Sequence, residues 1–147
     1  MVYDFSDVND ALNNAQASTI ALSSLSAYRK SIFWIPKSEA YPNNSFQGEE
    51  TTGTGAGDGM LYISGGGTSE DGKINRFSYT DLNGYNLEAE YTVKTTTAYN
   101  TDIYNAEIEG LKIYNTWAGE NIFMLFRKPN GTNDIHTIYS WLRSDNQ

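Results

Sequence analysis

The stretch Tyr85-Asn86-Leu87-Glu88-Ala89-Glu90-Tyr91-Thr92-Val93-Lys94 decides the fold class. Apolar or aromatic residues at 85, 87, 89, 91 and 93 alternate with polar ones at 86, 88, 90, 92 and 94. A period of two puts the two sets on opposite faces of an extended chain. The segment is therefore predicted as a half-buried antiparallel strand, with Tyr85, Leu87, Ala89, Tyr91 and Val93 on one side. Asn83-Gly84 just before it is a hairpin turn pair, so the run at 73–80, which follows Asp71-Gly72, becomes its partner strand.

Further strands appear on both sides of this hairpin. Residues 103–117 alternate through Tyr104, Ala106 and Ile108, then through Leu111 and Ile113, and the change of parity at Gly110 predicts a bulge. The runs 122–127 and 135–142 flank the turn residues Pro129-Asn130-Gly131 and are apolar on both faces, as buried strands are. Residues 60–64 read as another strand, and 31–36 as a short strand-like run stopped by Pro36. The expectation is a mainly β chain: an antiparallel β-sandwich, or a sheet of about six to seven strands, with an N-terminal α-helix. The second face of the last hairpin is expected to be covered by another sheet or by that helix.

Composition agrees. The 147 residues include 15 Asn, 14 Thr, 13 Ser and 13 Gly, together with 11 Tyr, 6 Phe and 3 Trp. Tyr and Thr favour strands, and Asn and Gly favour turns. Charged residues are 19% of the chain, below the usual quarter.

The N-terminal segment differs. Residues 4–30 lack Gly and Pro, and Phe5, Val8, Leu12, Ala15, Thr19 and Leu22 fall at alternating spacings of three and four. That is the seam of a heptad helix, about 40 Å long at 1.5 Å per residue. Such a helix either lies on its own sheet or joins others in a bundle. The chain thus divides into an N-terminal helix for oligomerisation or docking (1–30), a linker with a Gly/Thr-rich loop (31–59) and an antiparallel β domain (60–147).

Several classes are set aside by composition. There is no cysteine, so thiolate chemistry, thiolate metal sites and disulfides are excluded. The single histidine, His136, leaves no second imidazole for a two-histidine metal motif. A net charge of −8 repels phosphate backbones and anionic membranes. No apolar run approaches the roughly 20 residues of a spanning helix, and no secretory signal opens the chain.

Motifs give little chemistry. Residues 67–73 follow the spacing of a phosphate loop, but Ile74 replaces the magnesium-binding hydroxyl and Glu70 and Asp71 oppose an anion; a hairpin turn is expected. The glycines at 53, 55, 57 and 59 read as a loop. Glu88, Glu90, Glu107 and Glu109 would line one outer face if their strands paired. Oxygen ligands at Asp58, Glu70, Asp71, Asn133 and Asp134 form no calcium loop. No catalytic residue, metal or cofactor is predicted.

The aromatic richness remains. Trp34, Tyr41, Trp117 and Trp141 are candidate contact residues, since Tyr and Trp offer large contact area with few rotamers. A heptad helix, a Gly/Thr-rich loop and a charge-poor β domain together resemble the layout of small bacteriophage virion proteins of the tail, fibre, baseplate or head-decoration kind. The likeness is one of layout and carries over no residues. It implies a non-enzymatic assembly protein, made in the host cytoplasm and located in the virion. Its partners would be itself, as a homo-oligomer such as a trimer, and other structural proteins, with a glycan as a further candidate ligand and neither nucleic acid nor membrane. The interface residues would be Phe5, Val8, Leu12, Ala15, Thr19 and Leu22. The alternatives are a carbohydrate-binding β-sandwich and a small acidic inhibitor or immunity-type protein.

Overall fold

The computed structural model describes residues 2–3, 5–15, 19, 21–31, 35–53, 59–79, 84–96, 101–116 and 119–143. Its strands are β1 (Val2–Tyr3), β2 (Arg29–Ser31), β3 (Gly48–Thr52), β4 (Met60–Gly65), β5 (Gly72–Tyr79), β6 (Tyr85–Val93), β7 (Glu107–Thr116), β8 (Gly119–Asn130) and β9 (Asn133–Arg143). Two α-helices, α1 (Phe5–Ala15) and α2 (Lys37–Ala40), and 3-10 helices at Leu22–Tyr28 and Pro42–Asn44 complete it. The fold is mainly β: two antiparallel sheets, one ordered β3-β4-β5-β6 and the other β7-β8-β9, with the small β1-β2 pair apart.

The core lies between the sheets. Tyr62 and Ile74 from the first meet Ile108, Ile113, Ile122, Met124 and Phe126 from the second, with Ile103 and Ala106 from the connection ahead of β7. Across the core, the buried Tyr62 hydroxyl donates to Glu120, and burial followed by that carboxylate pushes it above the usual tyrosine range. The opposite face of the first sheet carries a smaller cluster, Leu61, Ile63, Phe77 and Tyr79, under Ile35 and Ala40.

β6 corrects one expectation. Arg76 sits opposite Ala89 and Phe77 opposite Leu87, so Glu88 is an extra residue. The bulge exchanges faces. Tyr91 and Val93 join the inner core, while Tyr85 packs edge-on against Phe77 on the other face. The five alternating residues therefore do not share one side. At β7, Ile108 faces Phe126 and Gly110 faces Leu125, which places the expected bulge at Glu109-Gly110.

The N-terminal helix is shorter than its pattern. α1 ends at Ala15, Thr19 and Ala21 are not helical, and Leu22–Tyr28 winds as a 3-10 helix. The serines of 22–28 compete for backbone hydrogen bonds and weaken an α-helix there. The foreseen linker also holds more structure than foreseen: α2, the 3-10 turn at Pro42–Asn44 and β3 all lie in it. Of the run 31–36, Ser31 ends β2, Ile35 and Pro36 are not strand, and 32–34 lie outside the described residues.

Candidate interaction surface

The second sheet has two apolar faces and the first sheet covers only one. Register fixes which residues point away: Phe123 lies opposite Lys112 and Ser140, Leu125 opposite Gly110 and Ile138, and Arg127 opposite Glu107 and His136. Along β8 the buried residues Ile122, Met124 and Phe126 alternate with exposed Phe123 and Leu125. The outer face thus presents Phe123 at 38% exposure, Leu125 at 36%, Ile138 at 70% and, beside them, Tyr114 at 63%.

Gly110 shapes this face. With no side chain there, an open groove of about 250 Å³ runs between Lys112, Phe123, Leu125 and Ile138. The approach of β3 from the other side depends on Gly48, where a Cβ would stand 3.0 Å from the Gly110 Cα.

Charges border the patch in pairs. Lys112 donates to Glu50 on β3 at 2.6 Å. Arg127 donates through Nε to Asp134 at 2.6 Å and through Nη1 to Glu107. Asp134 first, and then Glu107, raise the guanidinium above its already high ordinary value. Both cations are tied down, so the exposed middle of the face is apolar.

The residues singled out from sequence lie elsewhere. Val8 and Leu12 are half-buried on α1, whose chief packing partner is the 3-10 helix at Leu22–Tyr28. Ala15 is exposed at the end of α1, Thr19 is exposed outside any helix, and Phe5 and Leu22 open α1 and the 3-10 helix. The six are not brought together along one helix. Tyr41 is exposed, tilted against Phe46 at 6.1 Å, and lies under the Lys37 ammonium at 5.4 Å. Trp141 packs edge-on against Tyr91 at 5.3 Å. Trp34 and Trp117 lie outside the described residues.

The four carboxylates do not share a face. Glu88 and Glu90 stand on β6 in one sheet, and Glu107 and Glu109 on β7 in the other. Residues 67–73 join β4 to β5 and enter the latter strand. Among the described residues no cluster of three or more His, Asp or Glu side chains is placed to hold a metal.

Phe123, Leu125 and Ile138 are exposed apolar residues that the sequence reading does not single out. Their signal is the two-sided apolar pattern of the last hairpin, which by itself predicts cover on both faces. Compared with known proteins, the chain matches no family model, no curated protein and no solved structure.

Proposed function

We propose that this chain is a non-enzymatic assembly protein that builds a homo-oligomer, of the kind that serves as a small structural part of a bacteriophage virion. One observation carries the reading: the outer face of β7-β8-β9 displays contiguous Phe123, Leu125 and Ile138 around the Gly110 groove, with its neighbouring charges already paired. A monomer in water rarely keeps so apolar a sheet face uncovered; such faces mark contact surfaces. The occupant proposed is a neighbouring copy of the same chain. The virion setting rests on the layout of helix, Gly/Thr-rich loop and charge-poor β domain.

The test is the solution mass of the whole chain by light scattering, at two concentrations and two salt levels. A discrete multiple of 16.4 kDa is expected. A monomer at the highest concentration reached overturns self-assembly.

A further inference from the structure

Resting on that self-assembly reading, we infer that the copies also meet edge to edge, beside the face contact: β9 pairs antiparallel with β9 of a second copy, about a two-fold axis at Ile138.

The four edges of the two sheets are treated differently. β3 and β7 lie against each other, joined by Lys112–Glu50 and by Gln47 donating to Glu107 at 3.5 Å. β6 carries Glu88 and Glu90 and is broken by the bulge at Glu88, both of which are devices that blunt an edge. β9 has none of these. Its 11 residues run unbulged against β8, contain neither Pro nor Lys, and place Asp134 and Arg143 only near the two ends. Among the described residues no strand pairs with its second side. Exposed apolar side chains border that open edge on both faces: Ile138, and Ile135 at 45% and Trp141 at 36%.

An open edge of this kind accepts an extended segment, and the sequence of β9 is complementary to itself. Ile138 is the midpoint of 133–143, so the register centred there pairs all 11 residues. Opposite residues in an antiparallel pair share a face. On the inner face, Ile135 then meets Trp141 of the second copy and Thr137 meets Tyr139 of the second copy. Both are pairs of a β-branched residue with an aromatic one, a favourable cross-strand combination. On the outer face Ile138 meets its own copy on the axis, and His136 meets Ser140. No like charges stand opposite each other. The pairing would supply on the order of ten backbone hydrogen bonds. It would also join the two outer faces into one six-stranded surface on which Ile138, Leu125 and Phe123 of each copy are continuous, and which the face contact with a further copy would cover.

The absence of cysteine makes the register directly testable. Residues opposite in such a ladder have Cα atoms about 4.5–5.5 Å apart, within the range a disulfide spans. Under mild oxidation the whole chain carrying Ile138→Cys should cross-link to a dimer. His136→Cys alone and Ser140→Cys alone should not, but an equimolar mixture of those two should. Ser69→Cys, at the exposed β4–β5 turn, should remain uncross-linked. Ile138→Lys, which sets two ammonium groups on the axis, should weaken association at least about tenfold while the β signal in circular dichroism persists. An oligomer in light scattering without the Ile138→Cys cross-link overturns edge pairing and leaves self-assembly standing. A monomer overturns both.

Discussion

Two glycines, one in each sheet, obey opposite demands, and Asp71 shows how much a single turn residue holds. Gly65 ends β4 where a Cβ would fall 2.1 Å from the Pro42 carbonyl oxygen and 2.3 Å from that of Ser45. Both are backbone atoms, so Gly65→Ala must push the 3-10 turn away. A loss of about 3 kcal/mol is expected in urea unfolding. Gly110 is the contrast: a Cβ there meets only the Leu125 Cβ, at an ordinary 3.9 Å. Gly110→Ala should leave stability unchanged or raise it by about 0.5 kcal/mol, because alanine loses less entropy in a strand. Asp71 receives Lys94, the backbone N–H groups of Thr95 and Thr96, and the Thr96 hydroxyl. Lys94 first, and then Thr96, hold its carboxyl well below the usual range. A depressed carboxyl stabilises the fold fully above its unfolded value of about 3.9, and the contribution disappears as pH falls toward the folded value. Asp71→Asn should therefore cost about 1–2 kcal/mol at pH 7. The gap from the native chain should narrow once pH drops below about 4. A gap that stays constant from pH 7 to pH 2 would mean that shape rather than charge supports this turn.

At the scale of elements, stability should be concentrated in the sandwich. Val8 and Leu12 on α1 are only half-buried, whereas Ile74 is fully enclosed between the sheets. Leu12→Ala should cost about 1 kcal/mol and Ile74→Ala about 3–4 kcal/mol, read from urea midpoints followed by circular dichroism. An equal cost would make α1 part of the core. The same contrast explains what was legible beforehand. Strands with a clean period of two were legible, and so was the bulge at Gly110, because the apolar parity breaks there. The bulge at Glu88 was hidden: Leu87 and Ala89 continue the alternation unbroken, and only the partner strand reveals that Glu88 is extra. β3 was invisible because Gly48-Glu49-Glu50-Thr51-Thr52 has no apolar residue; its place comes from β4 and from the close approach to β7. The heptad spacing runs on through Thr19 and Leu22, where the described residues are not α-helical, because spacing records which side a residue would face and says nothing of whether serines and threonines sustain the helix. The apolar outer face was legible as a pattern. That it stays uncovered depends on which sheet lies over which, and that is a property of nonlocal packing.

For the whole molecule, assembly sets apolar and backbone complementarity against charge. Each copy carries −8, and edge pairing brings two such copies side by side. The residues placed opposite across the seam contribute no ion pair, so the long-range term is repulsive. Added salt shortens the Debye length from about 30 Å at 0.01 M to about 10 Å at 0.1 M. Hydrophobic contacts and strand hydrogen bonds are little affected over that range. Association should consequently tighten, by at least about threefold in Kd between 0.01 and 0.15 M salt, as read by sedimentation equilibrium. Lowering pH toward the isoelectric point near 4.5 should act in the same direction by discharging the surface. The sign of the salt effect separates two kinds of interface. Tightening fits a seam built on Ile138, Trp141 and Ile135. Weakening would require charges paired between copies, as when Asp134 leaves Arg127 for a neighbour's cation, and the two-fold would then lie away from Ile138.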